Sequence, residues 1–436
     1  MDKKSLQVIT LGCSKNTVDT SHLLSQVGEA FTVLPEDYEG PADFVLLNTC
    51  GFIGDAKEES IQAIFDVVER KNRGDVGKVF VFGCLSQRYI DTLPGLIPEV
   101  DAWFGARDLA PVVRALGCRP SHKTGRYIPE GRQSYAFMKI SEGCDRRCSY
   151  CAIPLIRGNH RSVPIETLVQ EAKDLAARGV KELVLIAQDT TFYGLDLYHK
   201  RALAQLLSEL SKVDGIEWIR IHYSYPADFP EDVLDEMRTN PKVCKYMDIP
   251  LQHVADPVLK AMRRNVDSEW TRNLVRTMRS KVPGIVLRTT MMVGHPGESR
   301  KDFLELLDFL KEAKFQRLGA FKYSEEEGTW GAQNLKDSVA PATKERRLAA
   351  LMELQRGISF AYNQSRVGTL EKVLVDAVSG DILVCRSQYE SPEVDGEILV
   401  RYSDKMPFGK DDMPGNFIKV RILSADDYDL IAEFEA

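Results

Sequence analysis

Cys144, Cys148 and Cys151 stand at C-x3-C-x2-C spacing in the run Gly143-Cys144-Asp145-Arg146-Arg147-Cys148-Ser149-Tyr150-Cys151, with no fourth cysteine nearby. A cubane iron–sulfur cluster usually takes four thiolates, one on each iron. Three thiolates in one short loop leave one iron open to a small ligand. An open iron beside bound S-adenosylmethionine can reduce the sulfonium and release a 5′-deoxyadenosyl radical, chemistry that no side chain performs. Zinc is the competing reading, yet it normally takes four N/S ligands, often from paired C-x2-C units, and the fourth is missing. A disulfide is the remaining alternative.

Three further cysteines share a different pattern. Leu6–Leu11 reads as a strand followed by Gly12-Cys13. Ala42–Leu47 is followed by Asn48-Thr49-Cys50, and Val79–Phe82 by Gly83-Cys84. A helix over Asp55–Arg73 separates the last two. Short apolar strands alternating with helices predict βαβ units and a parallel sheet. Ligands of such sheets bind at the carboxyl ends of the strands. Cys13, Cys50 and Cys84 are therefore expected to converge on one edge. The plain alternative is three independent buried cysteines, since free cysteine behaves as a small hydrophobe.

The elements that position the first trio come next. Cys118–Ser134, rich in Gly, Pro, Arg and Ser, reads as a linker. Strand candidates then follow at Tyr135–Ile140, Glu182–Ala187, Trp218–His222, Tyr246–Ile249, Val286–Val293 and Leu318–Tyr323. Helices are expected between them at Ile165–Arg178, Ala202–Val213, Ser268–Ser280 and Lys301–Ala313. Six βα units predict a complete or partial TIM-type barrel, whose active site lies at the C-terminal ends of the strands. The triple-cysteine loop directly follows the first strand. Gln188-Asp189-Thr190, Gln252-His253 and Gly294-His295-Pro296-Gly297-Glu298 follow others. A charged helix over Thr343–Tyr362 leads to five short strands, Glu371–Ala377, Ile382–Arg386, Glu397–Val400, Phe417–Leu423 and Asp429–Phe434. These predict a small β-barrel of OB type. The fold class is α/β with three units: an open parallel domain over 1–120, a barrel over 135–363 and an antiparallel β-barrel over 364–436.

Composition fits this plan. The chain has 436 residues, 44% hydrophobic and 28% charged, as in ordinary globular proteins. Met1–Gln7 carries no apolar signal core, and no stretch approaches eighteen apolar residues. Neither secretion nor membrane spanning is expected, and nine cysteines then read as reduced thiols in a cytoplasm. The net charge of −7 lies wholly in residues 364–436, where eight Lys/Arg face fifteen Asp/Glu. A nucleic-acid-binding barrel usually shows the opposite sign. Glu390, Glu393, Asp395 and Glu397 cluster near one candidate turn. They read either as a docking surface for a basic partner or as a solvated face.

With these motifs in place the chain resembles the radical SAM methylthiotransferases over nearly its whole length. The resemblance rests on Gly12-Cys13-Ser14-Lys15-Asn16, Asn48-Thr49-Cys50-Gly51-Phe52, Gly83-Cys84 and the triple-cysteine loop. Ala187-Gln188-Asp189-Thr190-Thr191-Phe192-Tyr193-Gly194, Tyr223-Ser224-Tyr225-Pro226 and Asp248-Ile249-Pro250-Leu251-Gln252-His253 resemble one branch, which modifies an aspartate in the twelfth protein of the small ribosomal subunit. One departure is that Val18-Asp19 is followed by Thr20-Ser21 where the family usually carries Ser-Glu.

The resemblance implies two 4Fe–4S clusters and S-adenosylmethionine as cofactors. Cys144, Cys148 and Cys151 would hold the cluster that cleaves S-adenosylmethionine. Cys13, Cys50 and Cys84 would hold a second, which carries or activates the sulfur to be transferred. A second S-adenosylmethionine would supply the methyl group. The implied partners are a basic small-subunit ribosomal protein as substrate and an electron donor, without a membrane. Tyr150, Gln188, Asp189, Gly294 and Glu298 are candidate cofactor contacts, with loop packing, capping or turn roles as the plain alternatives; Gly297 is grouped with Gly294 as allowing close backbone approach. Arg146 and Arg147 either tune the adjoining cluster or face solvent. Cys118, Cys244 and Cys385 are left as structural residues. The rival substrate is a tRNA adenosine, which a basic, aromatic terminal barrel would favour. A non-catalytic iron–sulfur protein would instead carry fully ligated clusters.

Overall fold

A computed structural model describes residues 3–121, 125–128 and 133–435; the rest of the expected linker lies outside the described residues. The first sheet is parallel throughout and runs in the order Phe31–Val33, Lys4–Thr10, Ala42–Thr49, Val76–Gly83, Ala102–Trp103. Its strands are apolar on both faces because both faces are covered. Phe44, Leu46, Phe80 and Phe82 pack with Leu23, Leu24 and Val27 of helix Ser14–Val27. The alternate residues Val45, Leu47, Val79 and Val81 pack with Ile64, Val67 and Val68 of helix Gly54–Asn72.

The second sheet takes its six parallel strands in chain order: Tyr135–Lys139, Glu182–Ile186, Trp218–Ile221, Val243–Asp248, Val286–Val293 and Arg317–Lys322. It is an open, partial barrel whose two edge strands do not pair. Helix Ser14–Val27 of the first domain closes against it. Val18 is buried among Phe137, Val184 and Ile186 on the first two barrel strands.

Helix Pro341–Ser365 leads to a closed five-stranded barrel over Leu370–Phe434. Its core is Val373, Val375, Leu383, Cys385, Ile398, Val400 and Val420. This small barrel caps the opposite end of the large one from the cysteines. Arg386 pairs at 2.8 Å with Glu182, and Trp218 meets Phe417 at 4.8 Å between rings; Glu182 and Trp218 are the first residues of their strands.

This docking corrects the reading of the acidic turn. Glu390 and Asp395 point inward. Glu390 is 1% exposed and paired with Arg317 at 2.9 Å and with Arg366. Asp395 accepts a hydrogen bond from the Tyr246 hydroxyl at 2.6 Å. Ser391 meets His222 at 2.6 Å. The turn plugs the large barrel, and its charge is matched by Arg288 and Arg317 of the strands it faces and by Arg366 at the end of helix Pro341–Ser365. Of the four acids, Glu393 and Glu397 remain exposed.

Candidate functional site

Cys13 caps helix Ser14–Val27, Cys50 follows strand Ala42–Thr49, and Cys84 opens helix Cys84–Arg88 after strand Val76–Gly83. The three sit on three adjacent strand ends. Two glycines press their loops together. Gly12 has φ +96°, and a Cβ there would lie 2.7 Å from Cys50 Cβ. Gly83 has φ +103°, and a Cβ there would lie 2.6 Å from the Thr49 backbone. Asn16 Nδ2 donates to Leu11 O at 2.8 Å and Thr49 O at 3.3 Å, lacing the first two loops. The Thr49 hydroxyl donates to Phe82 O at 2.8 Å, lacing the third. Cys13 is exposed, whereas Cys50 and Cys84 are buried. Burial raises the Cys50 thiol and pushes Cys84 up to about 11, against the opposing pull of Arg157.

The other trio is local. Ser141–Glu142 pairs with Arg161–Ser162 and pinches the base of the loop. Cys144 N–H donates to Gly158 O at 3.0 Å, and Cys151 N–H to Cys148 O at 3.2 Å. Ser149 N–H donates to Met262 O at 3.0 Å, fastening the loop to the C-terminal end of helix Asp256–Ala261. Burial pushes Cys144 up to about 12 and raises Cys151 further. Metal binding must release these protons, because the ligand is the thiolate. Among the described residues no three His, Cys, Asp or Glu side chains gather closely enough to share one ion. Thiolates on a cubane stand wider apart, each on its own iron. Two sets of three soft ligands fit that donor set.

The remaining expected residues divide. Tyr150 packs beside Met292, Tyr323 and Met262, with its hydroxyl 3.3 Å from Arg264 Nη1. Gln188 donates to Glu142 at 2.8 Å, and its buried Oε1 has no protein partner, which leaves an acceptor for a bound group. Asp189 caps Thr190–Phe192 and takes Arg146 Nε at 2.9 Å. Arg146 therefore turns inward, over the Tyr225 ring at 4.1 Å, while Arg147 faces solvent. Glu298 is buried; its carboxylate accepts the Gly294 N–H and pairs with Arg347 at 2.9 Å, so it holds the turn. A Cβ at Gly294 would lie 2.4 Å from Lys344 Cγ. A lysine chain from within the protein thus packs against this glycine. A Cβ at Gly297 would meet no described residue within 4 Å. Cys118, Cys244 and Cys385 each lie in an apolar cluster.

Two arginines matter that sequence reasoning passed over. Arg264 is buried and reaches Cys148 Sγ at 3.9 Å and Pro250 O at 2.5 Å. Arg157 ends the short helix after the triple-cysteine loop, yet it touches the other trio. Its Nε and Nη2 donate to Cys84 Sγ at 3.2 and 3.1 Å. Its Nη1 pairs with Asp19 at 2.7 Å and Glu142 at 3.2 Å, and Lys139 pairs with the same two acids. The signal available in sequence was an arginine six residues beyond Cys151, placed before a glycine.

Two parallel sheets thus turn their cysteine-bearing strand ends toward one junction, an arrangement that defines a radical SAM protein with an added amino-terminal domain. The model of the Radical SAM superfamily matches residues 138–310, that of the uncharacterized protein family UPF0004 residues 5–105, and that of the TRAM domain residues 367–434. Among solved structures the fold resembles the radical S-adenosylmethionine methyltransferase TsrM from Kitasatospora setae, at TM-score 0.54 and 15% identity over 73% of this chain and 75% of that one. The chain belongs to the family of ribosomal protein uS12 methylthiotransferases. It is 47% identical to the protein of that name from Bacteroides thetaiotaomicron over 99% of both chains. It is 48% identical to that of Parabacteroides distasonis, again over 99% of each.

Proposed function

We propose that this chain methylthiolates the β-carbon of an aspartate in ribosomal protein uS12, with one 4Fe–4S cluster on each cysteine trio. The observation that carries the reading is the pairing of two three-cysteine sites, each one ligand short, across the junction that Arg157 spans. When bound, the clusters and S-adenosylmethionine supply hydrogen abstraction, sulfur delivery and methylation. The chain's own residues do the rest. Residues 1–120 and 135–363 hold the two sites apart yet adjoining, and Arg157 offsets negative charge at Cys84. Gln188 offers its free acceptor at the mouth of the barrel. An electron donor is the other expected partner; among the described residues no helix is long and apolar enough to cross a membrane. The test is mass spectrometry of uS12 and of total tRNA from a strain lacking the gene. Loss of a methylthio group from uS12 alone is expected. Unchanged uS12 with altered tRNA would overturn the reading.

A further inference from the structure

Lys15 is a further cation at this junction, and unlike Arg157 and Lys139 it has no carboxylate partner among the described residues. Two lysines are buried among the described residues, Lys344 at 7% and Lys15 at 8% exposure. Lys344 pairs with Asp337 at 2.5 Å and donates to Tyr323 O at 3.0 Å. No carboxylate of the described residues pairs with Lys15. Its ammonium instead lies 3.0 Å from the centroid of the Tyr223 ring. Removing an ammonium from water without an ion partner is costly, and one ring face returns only part of that cost.

Its position compounds the cost. Lys15 is the second residue of helix Ser14–Val27, whose first turn has no acidic side chain. The positive end of a helix disfavours a cation there. Tyr223 is itself held at φ +59°, by its N–H to Asp248 at 3.0 Å and by its carbonyl, which accepts from Thr190 at 3.1 Å. Strained non-glycine residues of this kind concentrate where a ligand must be met. Ammonium, helix end and ring together make a positive, poorly hydrated spot between Cys13 and the barrel mouth. The nearby His222, held neutral by desolvation, adds no second positive charge beside the lysine. The second trio's charge is met by Arg157 at Cys84, on a different side chain.

We propose that Lys15 receives the side-chain carboxylate of the substrate aspartate and so fixes its β-carbon between the two cysteine sites. This rests on the reading of the substrate given above. A carboxylate anchored by a buried cation orders the carbon beside it, which is what a selective hydrogen abstraction needs.

The test uses the full chain with both clusters reconstituted. Dissociation constants are measured for purified uS12 and for uS12 with its modified aspartate replaced by asparagine. Losing a charge-assisted hydrogen bond in a buried site weakens binding roughly tenfold or more. Wild type is expected to prefer the aspartate form by that factor, Lys15→Met to bind both forms alike, and Lys15→Arg to keep most of the preference. Iron content and the melting temperature of each variant identify misfolding, and Lys15→Gln, which is expected to lose the preference as Lys15→Met does, carries the test if Lys15→Met fails to fold. A preference retained in Lys15→Met overturns the proposal. So does a fall in S-adenosylmethionine affinity with the preference intact, which would assign the lysine to that molecule's carboxylate. A shift in the second cluster's electron paramagnetic resonance alone, with the preference intact, would assign it to the cluster. Wild type that methylthiolates uS12 yet shows no preference refutes this inference only. Wild type that neither binds nor modifies uS12 refutes the function itself.

Discussion

The two cysteine trios gather three thiols each by opposite routes. Cys144, Cys148 and Cys151 occupy eight consecutive positions after one strand, and local hydrogen bonds shape the loop. Cys13, Cys50 and Cys84 come from three strand ends and meet only when the whole first sheet has formed. The first site depends on a loop, the second on register and on glycines without which the loops would collide. A local site tolerates changes in the sheet, whereas an assembled site inherits every error in it.

The largest effect expected from this contrast is a clean separation of function. Cys148→Ala should reduce S-adenosylmethionine cleavage to background while iron stays on the first domain. Iron analysis and 5′-deoxyadenosine assays on the anaerobically reconstituted variant test this. Loss of all iron from a folded protein would show that the sites are not separate.

Gly12→Ala probes the assembled site without touching a ligand. The added Cβ would press on Cys50, and a non-glycine residue at positive φ costs about 1–2 kcal/mol more. Iron on the first domain should fall severalfold, with the C-x3-C-x2-C loop still loaded. Equal iron at both sites would mean that the three strand ends have slack.

Much of this architecture was legible in the chain. Strands such as Val286–Val293 matched their apolar run residue for residue, and cysteines behind strands foretold convergence. What was illegible lies between domains. The acids at Glu390 and Asp395 look like surface charge in one dimension, because their partners Arg317 and Tyr246 are remote in sequence. Arg157 reads as a helix end, and only the packing of two domains sets it on Cys84. At Gly294 the place a Cβ would take is occupied by Lys344, fifty residues on, a neighbour that the sequence around the glycine does not announce.

Arg157 sharpens the comparison, since it is encoded beside the local site and acts on the assembled one. Partners that hydrogen-bond a metal ligand typically contribute about 10- to 100-fold in metal affinity or activity. Arg157→Met should lower iron retention on the first domain by about that factor and shift that cluster's reduction potential. Arg157→Lys should restore charge but only one of the two contacts, giving an intermediate potential. An unchanged potential in both would leave Arg157 a domain tether only.

The smallest effect on chemistry is expected from the acidic plug, and it bears on the contrast by showing what neither trio needs. Glu390 pairs with Arg317 and Arg366 in full burial, and those guanidinium groups hold its carboxyl down at about 2. A depressed carboxyl contributes stability that is present above its ordinary value near 4.5 and is lost as pH falls toward 2. Glu390→Gln should destabilise the docked terminal barrel by about 3–5 kcal/mol at neutral pH, because it leaves buried guanidinium charge uncompensated. It should also flatten the fall in melting temperature between pH 5 and pH 3, since the titrating group is gone. Substrate-free cleavage of S-adenosylmethionine should stay near the wild-type rate, because the plug enters the barrel from the end away from the cysteines. Melting curves by circular dichroism against pH, with the cleavage assay alongside, measure both halves. Parallel acid limbs for the two proteins would show that Glu390 does not set the acid stability. A large loss of cleavage would show that the plug shapes the bore as far as the triple-cysteine loop.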